Sequence, residues 1–393
     1  MNENKTRGVY DSGEPPTTSE RASTLKRKPE IILLLFSCIC CVVALELVFY
    51  IVGERQRTYP AVVYDTEDER TKLVCYDDEF LSTADWDLRR DRPYSRLRYA
   101  MNTDDDLSLQ GLDPQLVPHA VEVKLNEVGF RDRSLAQLNA DPEADVTLVI
   151  GDSFGVGQGV RVADRFTQIL EAKLNLASAH DHVLANFCMM GFNIKKISET
   201  MAEHMRAFPR LRRVIYVFTL NDPVRDVRGQ EMSQSIDDFM QLRTNLLSEN
   251  VDLPVISRSH ALRWVLERVA RRQISRQTIE WYNYMYTDNA GWRKTMRTLD
   301  QMHRQSQQNG CEFILVLWPL LFDLEEYPFR KAHDTIRAYA RARGMRFIDL
   351  LDLFAGRDEQ TYWVHPRDFH PNHLAHKEVA ESLFERIEWE VAR

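Results

Sequence analysis

The feature that most constrains the fold is an alternation of buried strands and helices that begins near residue 144. Val146-Thr-Leu-Val-Ile150 is a continuous apolar run that ends in Gly151, a pattern typical of a strand buried on both faces. Further strands are predicted at residues 182–190, 213–220, 311–317 and 345–349, and helices at residues 164–178, 194–208, 325–342 and 373–391. This alternation predicts an α/β fold whose mostly parallel sheet is covered by helices on both faces.

Two regions depart from that alternation. Residues 224–308 are mostly helical in pattern and are interpreted as an insertion within a domain at residues 136–393. Residues 53–135 alternate short β-prone pieces with charged turns, which predicts an irregular N-terminal extension with a few strands. The insertion's aromatic and basic residues fit either ordinary amphipathic helices or a lid or glycan platform, and they are Trp264, Arg271, Arg272, Trp281, Tyr282, Tyr284 and Tyr286.

Residues 31–52 are a run of 22 residues in which Glu46 is the only charge. A helix of that length reaches about 33 Å, enough to cross a hydrocarbon core of about 30 Å. A cleaved signal peptide would have an apolar core of only about 7–15 residues and a small-residue cleavage site. Residues 30–52 are therefore interpreted as an uncleaved transmembrane helix that anchors the chain in a membrane.

The charges that flank this run predict its orientation. Lys26, Arg27 and Lys28 precede it, and an acidic stretch follows it. By the positive-inside rule the N-terminus is cytoplasmic and residues 53–393 are extracytoplasmic. Residues 1–29 are rich in Ser, Thr, Pro and charge, which predicts a disordered cytoplasmic tail.

Composition excludes several classes of protein. The net charge is −8, whereas a general nucleic-acid binder needs a basic surface. The content of hydrophobic residues, 44%, is ordinary for a globular protein. Cys75, Cys188 and Cys311 are far apart without a CxxC partner, which excludes a zinc ribbon and leaves their pairing open.

Four polar signals follow the predicted strands, at the carboxyl ends where a parallel sheet gathers reactive groups. The first strand ends in Gly151-Asp152-Ser153, the second leads to Gly191, and Asn221 follows the third. Asp368-Phe-His370 lies on a predicted loop before the last helix. Polar groups from four separate parts of the chain are therefore expected at one edge of the sheet.

These residues supply what acyl transfer needs. Ser153 is the candidate nucleophile, His370 the candidate general base, and Asp368 the carboxylate that orients the base. The backbone N–H groups of Ser153 and Gly191 and the side-chain amide of Asn221 are candidate donors to a tetrahedral oxyanion. The structural alternative is that Gly191 and Asn221 mark ordinary turns and that Asp368 accepts hydrogen bonds at the start of a helix.

At these residues the chain resembles the SGNH (GDSL-type) hydrolases, whose name lists the residue types of Ser153, Gly191, Asn221 and His370. The resemblance covers roughly residues 124–393 without the insertion. It includes the lead-in Asn126–Arg131 and the stretch Gly151–Val160. It implies a flavodoxin-like α/β/α three-layer sandwich and ester or O-acyl chemistry that needs neither a metal nor a cofactor.

The spacing before the catalytic histidine bears on the substrate. Many family members have Asp three residues before the histidine, whereas here that position is Arg367 and Asp368 is two residues before. The shorter spacing resembles a branch that includes polysaccharide O-acetylation proteins. The resemblance therefore implies an O-acyl ester, most plausibly acetyl, on an acylated cell-envelope polysaccharide. The alternatives are an O-acyltransferase with the same triad and a catalytically silent glycan-binding or assembly protein.

Two further interpretations concern neighbouring side chains. Asp152 is interpreted as a structural hydrogen-bond acceptor and not as a catalyst. His370, His373 and His376 are spaced by three, but Pro371 breaks the helical pattern and no HExxH motif accompanies them. A metal site is accordingly not predicted, and His376 is expected to pack at the start of the last helix.

Overall fold

The computed structural model describes residues 18–56, 64–65, 71–75, 96–100, 120–247, 259–365 and 368–389. Of these, only the backbone is described at residues 18–30, 52–56, 64–65, 71–75, 96–100, 120–124, 244–247, 365 and 368. The strands are β1 (Tyr64–Asp65), β2 (Thr71–Cys75), β3 (Arg96–Ala100), β4 (Ala120–Lys124), β5 (Asp145–Gly151), β6 (His182–Asn186), β7 (Leu211–Phe218), β8 (Glu312–Leu317), β9 (Arg346–Asp349), β10 (Trp363–His365) and β11 (Asp368–Pro371). The helices are α1 (Thr18–Gln56), α2 (Leu135–Leu138), α3 (Ser153–Val156), α4 (Phe166–Ala177), α5 (Ile194–His204), α6 (Val227–Leu247), α7 (His260–Met285), α8 (Ala290–Gln308), α9 (Arg330–Ala342), α10 (Leu351–Phe354) and α11 (His373–Arg386).

Five strands form a parallel sheet in the order β6-β5-β7-β8-β9. Every residue of β5 is buried, as its unbroken apolar run predicts. The chain steps from β5 to β6 in one direction and then passes back across β5 to β7. Because crossovers between parallel strands are right-handed, this reversal places α4 and α5 on opposite faces of the sheet. The predicted α/β architecture with helices on both faces is confirmed.

Each face of the sheet carries a pair of packed helices. On one face α4 packs against α11, and on the other α5 packs against α8. Helix α8 also contacts β8, so it is the crossover helix that returns the chain from β7 to the sheet. Helix α8 lies within residues 224–308, the region interpreted as an insertion, but it belongs to the alternation of strands and helices. The segment that interrupts this alternation therefore ends before α8 begins at Ala290.

Aromatic residues of the 224–308 region contribute to the core. Trp281 and Tyr286 on and after α7 are 7% and 6% exposed. The Trp281 indole N–H donates to the carbonyl of Gly229 (2.9 Å), and the Tyr286 hydroxyl donates to that of Leu220 (3.0 Å). These two aromatic side chains pack in the core, as expected if they belong to ordinary amphipathic helices and not to a lid or glycan platform.

The chain divides into two compact units, one formed by Met1–Arg57 with Thr244–Val269 and the other by Thr58–Arg243 with Ala270–Arg393. In the first unit, Ile31–Ile51 has a mean hydropathy of 2.9 and is long and apolar enough to span a membrane. Helix α1 begins at Thr18, so residues 18–29 are helical and not disordered as the sequence suggested. Propagating a helix adds one hydrogen bond per residue fixed, so a helix nucleated in the apolar run extends into its polar flank.

The N-terminal extension has two antiparallel strand pairs and one parallel pair. Its sheet has the order β1-β2-β3-β4, and β2 pairs in parallel with β3. Short strands were predicted in this region, although β3 was not. The side chain of Cys75 in β2 lies outside the described side chains, while Cys188 and Cys311 are buried free thiols.

The contact between Gly155 and Cys188 generates a stability prediction. A Cβ added to Gly155 would lie 2.4 Å from the Cys188 sulfur, well inside van der Waals contact. Gly155→Ala should therefore lower the free energy of unfolding by about 1–3 kcal/mol, as overpacked cores do. Denaturant unfolding of the detergent-solubilised chain measures this change.

The control for this prediction is the double variant Gly155→Ala/Cys188→Ala, which removes the sulfur that the new methyl group meets. Because the collision is specific to this pair, the double variant should be more stable than the sum of the two single changes implies. Additive effects would show that the close contact does not limit this position.

Candidate active site

The predicted site residues come from loops at the carboxyl ends of β5, β6 and β7 and from the β10–β11 hairpin. Ser153 directly follows Asp152 at the end of β5 and is the first residue of α3. His370 lies on β11, which pairs antiparallel with β10. The two residues are 217 positions apart, yet His370 Nε2 lies 2.8 Å from Ser153 Oγ. This distance is within the hydrogen-bond reach that a nucleophile and its base require.

The surroundings of this pair restrict its motion. Ser153 is 9% exposed, and the ring of His370 packs edge-on to Phe154 with 5.5 Å between centroids. Phe154 in turn contacts Trp318, which is fully buried and also packs against Phe166. Trp318 therefore fills the core next to Phe154.

Two backbone N–H groups at this edge of the sheet are available as donors. Within the part of the chain that the structure describes, the N–H groups of Ser153 and Gly191 donate no hydrogen bond. Gly191 has φ of +73°, a backbone conformation that favours glycine. Free backbone N–H groups beside a nucleophile are what an oxyanion site requires.

The Asn221 side chain is held by the residue that precedes the serine. Its amide nitrogen donates to Asp152 Oδ2 at 3.1 Å, and its amide oxygen lies 2.5 Å from the Thr219 hydroxyl. An amide nitrogen carries two N–H groups, so one remains to bind a substrate oxygen. Asn221 is thus a held donor beside the serine turn.

Asp152 is fully buried and serves as an acceptor, in line with its structural interpretation. Its Oδ1 accepts the backbone N–H of Phe154 (3.0 Å), which caps α3. Its Oδ2 lies 2.9 Å from the Thr219 hydroxyl and accepts the Asn221 amide. Burial raises the pKa of the Asp152 carboxyl above its ordinary value, while these hydrogen bonds oppose the shift.

A second buried acid, Asp222, fixes the end of β7. Its Oδ2 accepts the Tyr216 hydroxyl (2.9 Å) and the Thr219 backbone N–H (3.0 Å). Its own carbonyl accepts the N–H of Ile194, the first residue of α5. Burial, and then the nearby Asp152, raise the pKa of this carboxyl well above its ordinary value. The loop after β7 is thereby tied to the loop after β6.

The side chain of Asp368 lies outside the described side chains, so its contact with His370 stays a prediction. Its backbone is described, and Asp368 and His370 are two residues apart on β11. The pairing register of β10 and β11 shifts by one residue within this stretch, so strand alternation alone does not place the two side chains on one face.

Sequence reasoning missed the residue that fixes the histidine strand. Asn372 follows β11, and its side-chain amide donates to the carbonyls of Thr361 (2.9 Å) and Trp363 (3.1 Å). Its side-chain oxygen accepts the backbone N–H groups of Leu374 and Ala375 and so caps α11. Its position just before a helix was the available signal, since Asn is a preferred N-cap.

Arg131 is the second such residue, and it supports the loop that follows the serine. Its guanidinium donates to the carbonyls of Gly157 (2.7 Å), Val160 (2.7 Å) and Val156 (3.3 Å), and its side chain is 1% exposed. The carbonyl of Arg131 accepts from Arg165, another buried arginine. The lead-in Asn126–Arg131 that the resemblance included thus supports the Gly151–Val160 segment.

The three histidines do not face one another. His370 meets Ser153, whereas His376 is fully buried against Phe166, whose backbone N–H donates to its Nδ1 (3.2 Å). His376 therefore packs at the start of α11, as the sequence suggested. No group of three His, Cys, Asp or Glu side chains suited to a metal ion occurs among the described residues.

Three solved structures show weak overall similarity to this chain. A lipolytic protein of the G-D-S-L family from Desulfitobacterium hafniense has a TM-score of 0.35 and 11% identity, over 62% of this chain and 99% of that one. An acetyl xylan esterase, AlAXEase, has a TM-score of 0.37 and 12% identity, over 62% of this chain and all of that one (100%). The esterase EstA from a Pseudoalteromonas species has a TM-score of 0.35 and 13% identity, over 61% and 95%. No protein-family model and no curated protein matches the chain.

Burial of His376 generates a pH prediction. Burial, with the nearby Arg165 and Arg131, lowers its pKa from the ordinary value near 6.5 to about 3. Below about pH 6.5 the unfolded chain binds a proton that the folded chain does not. Stability should therefore fall as the pH drops from about 6.5 to about 3, by up to about 1.4 kcal/mol per pH unit from this group.

The measurement is the free energy of unfolding of the wild type and of His376→Gln across this pH range. Gln does not titrate, so the variant should lose less stability on acidification, even if it is less stable at neutral pH. Parallel curves between about pH 3 and 6.5 would show that His376 titrates alike in the folded and unfolded chains.

The structure brings Ser153 and His370 within 2.8 Å of each other at the carboxyl edge of the parallel sheet, as the resemblance to the SGNH (GDSL-type) hydrolases implies.

Proposed function

We propose that the chain is a membrane-anchored serine esterase that removes O-acyl groups, in particular acetyl, from an extracytoplasmic envelope glycan. The observation that carries the proposal is the 2.8 Å approach of His370 Nε2 to Ser153 Oγ, together with backbone N–H groups of Ser153 and Gly191 that donate no hydrogen bond among the described residues. A nucleophile, a base and free N–H donors together form the equipment of acyl transfer. A catalytically silent binding protein has no need of this arrangement.

The first half of the reaction follows from this geometry. Neutral His370 accepts the hydroxyl proton of Ser153 at Nε2 while Ser153 Oγ forms a bond to the ester carbonyl carbon. The carbonyl oxygen becomes an oxyanion, which accepts hydrogen bonds from the N–H groups of Ser153 and Gly191 and from the second N–H of Asn221. Asp368 holds the imidazole in the tautomer that leaves Nε2 free to accept.

The second half releases the sugar and then the acid. His370 gives the proton to the leaving alkoxide, so that the ester C–O bond breaks and an acyl-Ser153 remains. Water then gives its proton to His370 as its oxygen attacks the acyl carbon. Collapse of this second oxyanion returns the proton to Ser153 and releases the carboxylic acid.

The substrate and location rest on sequence features. The Asp-x-His spacing at Asp368 and His370 supports an O-acetyl group on a polysaccharide. The basic residues before the span Ile31–Ile51 support a cytoplasmic N-terminus and an extracytoplasmic hydrolase domain. An acetylated envelope glycan is an ester that an enzyme in this location would meet.

A fluorophosphonate probe tests the activated serine. The probe should label Ser153 in the full-length wild type, and the adduct should be absent from Ser153→Ala and nearly absent from His370→Ala, because the base is needed to activate the hydroxyl. Mass spectrometry of the active-site peptide locates the adduct, and circular dichroism checks that both variants are folded. A folded wild type without an adduct would contradict the proposal.

Steady-state kinetics test the oxyanion donors. Asn221→Ala should lower kcat for p-nitrophenyl acetate by about 10²–10³-fold with a much smaller change in KM, since the donor acts on charge that develops in the transition state. The exposed Asn175→Ala, on α4, is the matched control. An equal loss in the control, or an unchanged kcat in Asn221→Ala, would remove Asn221 from the mechanism.

The glycan assignment has its own test. The rate of acetate release from O-acetylated polysaccharide should exceed the rate of p-nitrophenol release from a long-chain p-nitrophenyl ester at the same ester concentration. The reverse preference, with Ser153 still labelled, would retain the esterase and reject the glycan substrate.

A further inference from the structure

The one charge within the apolar span has partners in a distant part of the same unit. Glu46 Oε1 lies 2.5 Å from the Ser259 hydroxyl, and Oε2 accepts the backbone N–H groups of His260 (2.6 Å) and Ala261 (3.3 Å). The carboxylate thus lies at the N-terminal end of α7, where unpaired N–H groups and the helix dipole favour a negative charge. A carboxylate in a membrane span requires such a partner.

Aromatic contacts extend this interface along α1. The rings of Phe49 and Trp264 have centroids 4.7 Å apart, and those of Tyr50 and His260 are 5.1 Å apart. Residues 46, 49 and 50 are spaced by three and four, so they share one face of α1. Between residues 31 and 51, Glu46 and Phe49 are also the residues that are partly buried, whereas the others are exposed.

The contacts fix the height of α7 relative to the apolar span. Glu46 lies five residues before Ile51, or about 7.5 Å inside the end of the span, and Phe49 lies about 3 Å inside it. Glu46, Phe49 and Tyr50 all lie within this last stretch of the span and contact residues 259–264, so the start of α7 lies at the C-terminal end of the span. Arg268 is one turn beyond Trp264, which puts it near the lipid headgroups at that end.

The side chains at this height match the chemistry of a membrane interface. Val265 and Val269 are 47% and 58% exposed, and Arg268 is exposed with its guanidinium 4.2 Å from the Trp264 ring centroid. Tryptophan is enriched where membrane meets water, and arginine there binds anionic headgroups. We call Trp264, Val265, Arg268 and Val269 the lipid-facing surface.

We propose that Glu46 docks the first turns of α7 in the membrane interface, where the lipid-facing surface binds an anionic phospholipid through its phosphate at Arg268. Val265 and Val269 contact the upper acyl chain, and Trp264 lies between chain and headgroup. The inference rests on the membrane anchor within the proposed function and not on ester hydrolysis, so labelling of Ser153 tests the two separately.

Lipid retention tests the headgroup contact. The full chain, placed in nanodiscs of equal parts phosphatidylcholine and phosphatidylglycerol, is released for native mass spectrometry, which counts the phosphatidylglycerol that stays bound. Arg268→Gln should retain about fivefold less than the wild type, since one basic side chain near the surface contributes about a factor of this size. Arg268→Lys should retain it, because the charge is kept.

Arg304→Gln is the matched control, an exposed arginine on α8 that belongs to the second unit. Retention that is equal in the wild type and Arg268→Gln, or a loss of the same size in Arg304→Gln, would overturn the headgroup contact. Equal retention of phosphatidylcholine would overturn the requirement for an anionic lipid.

Hydrogen exchange tests the docking by Glu46. In nanodiscs, the amides of His260 and Ala261 should exchange more slowly in the wild type than in Glu46→Ala, with Glu46→Gln between them because it keeps an acceptor oxygen. Peptides from α8 serve as an internal control, because they should exchange alike in all three proteins. Unchanged exchange at residues 260–261 in Glu46→Ala would overturn the docking even if the span itself stays helical.

Discussion

The site depends on the buried carboxylate of Asp152. A carboxylate can be buried only when hydrogen bonds replace the water it loses, and here the replacements are groups that the proposed reaction needs in fixed places. One oxygen holds the turn that presents Ser153, through the N–H of Phe154, and the other holds the Asn221 amide. The ends of β5 and β7 are thereby joined through a single side chain. Removing it would release the proposed nucleophile and a proposed oxyanion donor together.

The histidine is positioned by an independent set of contacts. Asn372 ties the β10–β11 hairpin to the start of α11, and the Trp363 indole N–H donates to the carbonyl of Leu321 (2.8 Å). The backbone N–H of Leu320, next to Leu321, donates to the Tyr327 hydroxyl (3.1 Å), which lies 3.1 Å from Nε2 of buried His333. The serine side and the histidine side of the site are therefore held by different sets of contacts, and they meet where His370 lies against Ser153 and Phe154.

Much of the fold could be predicted because burial leaves a periodic trace in the sequence. The apolar run before Gly151 predicted strand β5, and the polar residues after successive strands predicted the serine, glycine and asparagine. Partners between distant segments leave no such trace. Neither the guanidinium of Arg131 among loop carbonyls nor the Thr219 hydroxyl beside Asp152 could be inferred, because each depends on the final packing of elements far apart in the chain. The core position of Trp281 was ambiguous for the same reason, since an aromatic residue fits a core and a binding platform equally well.

The open space at Gly191 bears on how this site could be altered. A Cβ built there meets nothing within 4 Å, so the position rejects other residues through its positive φ and not through crowding. Asn, which adopts that conformation more readily than other residues with a side chain, would leave the N–H in place and extend an amide outward. A substrate contact could therefore be added to this loop at the proposed oxyanion donor itself, a position that in a crowded site would tolerate no side chain.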